Sequence, residues 1–136
     1  MIAEFKDYLK TLNVADYYYI GKIENSKEKV LGIYADDPTP RVEAVGKESS
    51  YGTFGVRLLL HWNKNARETE AQALYLFDQI RYITNTDISH TDANGTTTTV
   101  HIQFIDWEYD APIFLGTDAN GVYEYVISGE IYYKKG

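Results

Sequence analysis

A strand-like stretch that runs straight into an amphipathic helix sits near the middle of the chain, and this junction restricts the possible folds more than any other feature. From Phe54 to Trp62, Val56, Leu58, Leu60 and Trp62 alternate with Gly55, Arg57, Leu59 and His61, which marks a strand with one strongly buried face. Asn65 then stands as an N-cap with Glu68 three residues on, a capping-box spacing in which each side chain satisfies a free backbone donor of the first turn. Ala73, Leu76, Phe77, Ile80 and Ile83 form an apolar stripe opposed by Glu68, Gln72, Asp78 and Gln79. A helix of about 18 residues with a single apolar stripe, starting so soon after a buried strand, is expected to lie on the sheet to which that strand belongs.

The rest of the chain extends that picture. Ile2, Phe5, Leu9 and Leu12 are spaced by three and four, with Glu4, Lys6, Asp7 and Lys10 between them, so the chain opens with an amphipathic helix. Asp16–Ile23 and Lys29–Ala35 are rich in Tyr and β-branched residues and flank the polar stretch Glu24-Asn25-Ser26-Lys27, a pattern that predicts a hairpin. Asp36-Asp37-Pro38-Thr39-Pro40 breaks regular structure and opens a long loop through Gly52, in which Val42, Ala44 and Gly46 allow at most a short extension. Thr84–Thr99 reads as a connection. Thr98–Tyr109 carries Val100, Ile102 and Phe104 on one face and Ile105, Trp107 and Tyr109 on the other, and this change of phase predicts a bulge near Phe104. Pro112–Leu115 suggests a short strand. Val122–Lys134 alternates again, with Gly129 as a second candidate bulge. The expected fold is α+β, a single domain over residues 1–136 of order α-β-β-β-α-β-β, with helices on one face of a mostly antiparallel sheet.

With 136 residues the chain is one domain's worth of polypeptide, and 44% apolar with 24% charged residues argues for a folded globule. There is no Cys, which excludes disulfides, zinc ribbons and thiol catalysis. Nor does any run reach the length of a signal peptide or a membrane span, so the chain is expected in the cytosol when made, with no membrane partner. Thirteen Tyr against five Phe suit both half-buried strand faces and protein interfaces.

Sites of chemistry are scarce. Thr91-Asp92-Ala93-Asn94-Gly95 recurs as Thr117-Asp118-Ala119-Asn120-Gly121. An EF-hand loop would need Gly at position 6 and an acidic ligand at position 12. Here Gly stands fourth, and position 12 is Gln103 or Gly129. The repeat is therefore read as a tight turn before each β segment, because Asn and Gly both tolerate positive φ. His61, His90 and His101 have no metal or triad spacing, although His61 and His101 could meet across a sheet. Gly46-Lys47-Glu48-Ser49 lacks the hydroxyl residue and the leading glycine of a phosphate loop. No metal, cofactor or catalytic set is expected, and the chain is not read as an enzyme.

Charge is more informative. The net charge is −7, which argues against a surface built to grip phosphates. Residues 1–81 hold 12 acids and 11 bases, whereas residues 82–133 hold 8 acids and no Lys or Arg. Asp106, Glu108 and Asp110 lie at period two, so in a strand they would form a row of carboxylates about 7 Å apart. That row is either a solvated face or, with less support, an acid–base pair that lacks a nucleophile and an oxyanion hole.

Phe54-Gly55-Val56-Arg57-Leu58-Leu59-Leu60-His61-Trp62, followed by the helix Glu68–Ile83 and closed by the strand Tyr123–Tyr133, resembles the small tail-terminator and minor capsid proteins of tailed bacteriophages and prophages. The resemblance covers most of the chain in order and length. It implies a structural virion protein at the head–tail junction, made in the host cytoplasm and without enzyme activity. Such proteins form a ring, commonly a hexamer, that caps the tail tube and faces a head-completion or connector protein. The expected partners are then other copies of the chain, the tail tube protein and that connector, with DNA passing through unbound.

A ring needs two complementary patches on each subunit. Tyr17, Tyr18, Tyr19, Arg41 and Tyr51 are the candidate contact residues, and Asp106, Glu108 and Asp110 a candidate acidic lining that would repel DNA in the lumen. Two other classes compete. An acidic inhibitor that mimics DNA would bind a basic partner, and a small-molecule enzyme or binding domain would need a pocket.

Overall fold

Two strands distant in sequence form the middle of the sheet. The computed structural model describes residues 1–36 and 51–135. Strand β3 (Tyr51–His61) pairs antiparallel along its whole length with β7 (Tyr123–Lys135). Around them lie α1 (Ile2–Thr11), β1 (Tyr17–Ile20), β2 (Val30–Ala35), α2 (Ala66–Ile80), β4 (Thr84–Thr91), β5 (Thr97–Trp107) and β6 (Ile113–Thr117). The strand order is β1-β2-β3-β7-β5-β4, with β6 pairing the start of β7. The expected α+β order is present, the short strand expected at Pro112–Leu115 is β6, and β4 is a further strand.

The helices share one core. Phe5 and Leu9 of α1 and Ala73, Leu76, Phe77 and Ile80 of α2 are buried with Val56, Leu58 and Leu60 of β3, Ile127 and Ile131 of β7, and Ile102 of β5 in a single apolar cluster. Because strand side chains alternate, this core takes the even positions of β3 and leaves Gly55, Arg57 and Leu59 on the opposite face. Asn65 caps α2, its side chain accepting from the Glu68 N–H at 3.0 Å. The reciprocal half of the expected capping box is absent, since Asn63 Oδ1 accepts from the Asn65 N–H instead. Helix α2 ends at Ile80, and Ile83 is buried in the turn that follows.

Four expectations change. β1 and β2 pair in parallel, Tyr17 beside Val30 through Ile20 beside Ile33, and do not form a hairpin. Gly21, at φ +78°, ends β1, and Lys29, at φ +59°, turns the chain into β2, so residues 21–29 are a crossover. Ile23 seats on Gly32, where an added Cβ would lie 2.5 Å from its Cγ2. Residues 84–91 are an edge strand where a connection was expected. Only Ile88 of β4 is buried, so the segment reads as polar. Gly129 is not a bulge, because its pairing with Val56 on one side and Trp107 on the other is in register. Of the expected long loop, Tyr51 and Gly52 belong to β3, while Val42, Ala44 and Gly46 lie outside the described residues.

Other expectations hold. The register of β5 shifts between Ile102 and Phe104, the bulge that the change of phase predicts. The two copies of the pentapeptide are matching turns. Asp92 Oδ1 accepts from the Asn94 and Thr96 N–H groups between β4 and β5, and Asp118 Oδ1 accepts from Asn120 and Val122 between β6 and β7. Gly95 and Gly121 sit at φ +83° and +81°, where a Cβ would be strained.

Candidate functional site

The sheet face turned away from the helices is built in cross-strand rows. Leu59, Val126 and Ile113 are register partners across β3, β7 and β6. The next row is Tyr34, Arg57 and Ser128, continued by Glu108, whose N–H bonds the Ser128 carbonyl at 2.9 Å. Beyond it come Gly55, Glu130 and Asp106, then Thr53, Tyr132 and Phe104, the last two stacked at 4.5 Å between ring centroids. Along the strands the face therefore passes from apolar to polar to acidic and back to aromatic.

Two adjoining depressions occupy this face. The larger, about 540 Å³, has Tyr34, Leu59, Val126, Tyr109, Ile113 and Leu115 among its walls. The smaller, about 260 Å³, is lined by Asp36, Gly55, Asp106, Glu108 and Glu130. Asp36, Glu108 and Ser128 belong to both. Arg57 places its guanidinium 3.0 Å from the Asp36 carboxylate at this boundary.

The acidic excess of residues 82–133 divides into structural and surface parts. Asp92 and Asp118 hold turns, Asp87 pairs with His101 at 2.7 Å, and Glu124 pairs with His61 at 2.9 Å. Asp106 and Glu108 are exposed on the open face, and Glu130 lies beside them. The expected row of three carboxylates does not form, since β5 ends at Trp107 and Asp110 lies in the bend before β6.

Each histidine holds a carboxylate. His90 joins β4 to α1 through Asp7 at 2.6 Å, and His101 meets Asp87 on the neighbouring strand. His61 and His101 are far apart, because they pair with opposite ends of β7, Glu124 and Lys134. His61 is fully buried, with Nδ1 at 2.9 Å from Glu124 and Nε2 at 3.8 Å from Asp118 and without a hydrogen-bond partner. Among the described residues no group of His, Asp and Glu has the arrangement of a metal site.

Desolvation raises the Asp118 carboxyl pKa, but the N–H bonds from Val122 and Asn120, with His61 and Lys64 nearby, outweigh it and hold the group below its ordinary 3.8. A folded pKa below the unfolded one gives stability that is complete above the unfolded value and lost as pH falls through the folded value. Asp118→Asn keeps the turn's acceptor oxygen and removes only the charge. Thermal melts are expected to show wild type above D118N at neutral pH and the two converging in strong acid. A gap that persists at the lowest pH would assign the effect to geometry.

The candidate contact residues divide. Tyr17 is 41% exposed on the edge strand β1 beneath Lys27. Tyr18 turns inward, and its hydroxyl accepts from the Val14 and Ala15 N–H groups, so it serves the chain's own backbone. Tyr19 donates to Glu24, and desolvation together with that bond raises its pKa above the ordinary phenol value. Tyr51 begins β3 opposite Lys134, and Arg41 lies outside the described residues. The short strand expected at Pro112–Leu115 is β6, but sequence reasoning missed it as an open edge, where Ile113, Phe114 and Leu115 are 38%, 54% and 54% exposed. The signal was a run of three large apolar residues after Pro112, too short and too uniform to show a period. No family model matches the chain, and no curated protein matches it in sequence.

Proposed function

We propose that the chain is a structural subunit of the tail-terminator kind, which closes head to tail with its own copies into a ring that caps a phage tail tube and faces the head. The observation that carries this reading is a pair of open edges on opposite sides of one five-stranded row. Tyr19, Gly32, Leu59, Val126 and Ile113 are successive partners across β1, β2, β3, β7 and β6. Among the described residues, β1 and β6 each have a neighbour on one side only.

Strand direction makes the two edges fit each other. β1 runs with β2, β2 against β3, β3 against β7 and β7 against β6, so β6 runs opposite to β1. A second copy placed beside the first in the same orientation therefore sets its β1 antiparallel to the first copy's β6, the pairing with the better hydrogen-bond geometry. Because the two edges differ, the contact is heterologous, as a ring demands. Both edges are apolar where a monomer would carry blocking charges: Ile20 is 45% exposed on β1 and Phe114 54% on β6. The third edge, β4, is protected by Thr, Ser, Asp and His side chains and by α1 packed against it.

Light scattering with negative-stain microscopy tests the reading. Closed rings are expected from the wild-type protein, and Ile20→Lys or Phe114→Lys should give monomers with an unchanged circular dichroism spectrum. A wild-type chain that stays monomeric at every concentration, or edge variants that still form rings, would refute it.

A further inference from the structure

We infer that the two adjoining depressions on the open sheet face form a docking cleft for a segment of a partner protein in which a lysine or arginine stands beside large apolar side chains. The cleft is divided by chemistry. Leu59, Val126, Ile113 and Leu115 give the larger part aliphatic walls, with Tyr34 and Tyr109 at its sides. Gly55 drops the floor of the smaller part, which is ringed by Asp36, Asp106, Glu108 and Glu130. Arg57 lies against Asp36, which leaves Asp106 and Glu108, both exposed on this face, as the charges an occupant meets. An occupant that fills both parts therefore carries an apolar body and a cationic end a few ångströms away, which complements the charge and the hydropathy together.

The lips show that the occupant is larger than a small molecule. Tyr109 and Leu115 are 55% and 54% exposed. A compact ligand sunk into the cleft would leave them wet, whereas a polypeptide lying across it covers them. Ile113 and Leu115 belong to β6, but they line the cleft with side chains on the sheet face, whereas edge pairing uses the backbone of that strand, so the cleft can be filled while the edges pair.

Fluorescence anisotropy with a labelled short peptide of alternating leucine and arginine tests the assignment, with a leucine–glutamate peptide as control. The arginine peptide is expected to bind in the micromolar range and at least about tenfold more tightly than the control, and to weaken as salt rises. Glu108→Lys and Asp106→Lys, both at exposed positions, should each weaken it by about tenfold without changing the melting temperature. Equal binding of the two peptides, no binding of either, or charge-reversed variants that bind normally would overturn the proposal. Peptide binding that weakens as protein concentration rises would also overturn it, because a second copy would then be the occupant. Ring formation scored on the same samples separates the two proposals: rings without peptide binding refute the cleft alone, and peptide binding without rings refutes the ring alone.

Discussion

Gly129→Val is expected to lower the unfolding free energy by about 3 kcal/mol or to prevent folding altogether. A Cβ at this position would lie 2.5 Å from Trp107 Cε3, closer than real contacts allow, and 3.0 Å from the Asp106 carbonyl oxygen, tighter than most. Neither neighbour can yield easily. The carbonyl belongs to β5, which is in register with β7 on both sides of the contact, and the indole packs edge-on against Phe77 of α2 at 6.2 Å between centroids. Gly129 thus lets the Trp107 ring lie over the sheet and join α2 to β5. Urea unfolding measures the effect, with Gly129→Ala expected to fall between wild type and G129V. A wild-type midpoint for G129V would mean that Trp107 is not seated over this glycine.

Glu124→Leu is expected to cost about 2 kcal/mol, more than His61→Leu, even though His61 is the buried member of the pair. Removing Glu124 leaves an imidazole with no exposure and neither ring nitrogen bonded, since Nε2 already has no partner. Removing His61 puts an aliphatic side chain in a sealed site and releases a carboxylate that is 19% exposed and can turn toward water. Losing a partner is costly only where the remaining group cannot be solvated. Denaturant midpoints of both single variants and of the double variant check the order. Equal losses, or a larger loss for H61L, would show that the pair contributes mainly through His61 packing.

Strong periodicity made much of the fold legible. α1, β3, α2 and β7 each bury one face, and the two Asp-Ala-Asn-Gly turns follow from local backbone chemistry, so neither depends on what the rest of the chain does. β4 was invisible for the opposite reason: as an edge strand it buries only Ile88, and its polar sequence reads as a connection. The parallel pairing of β1 and β2 was hidden as well, because composition identifies a strand but not its direction, and the residue that decides the matter, Ile23 over Gly32, is a tertiary contact. His61 reads as an outward residue by alternation, yet it is sealed. The odd face of β3 is open at Arg57 and covered by the time it reaches His61. The cleft shared this difficulty, since its walls come from five strands and a bend, and only the acidic members left a trace in the sequence.

The full-length pairing of β3 with β7 also has a kinetic consequence. The sheet's two central strands are separated by some sixty residues, so no nucleus confined to one half of the polypeptide can close it, and loop-closure entropy must be met before the pairing returns any energy. Folding is therefore placed in the slow regime of non-local β proteins, about milliseconds to seconds. During translation β3 stays without its main neighbour until synthesis has passed Lys135, and for that interval Val56, Leu58 and Leu60 form an apolar strand for which a chaperone, or a neighbouring nascent chain, can compete.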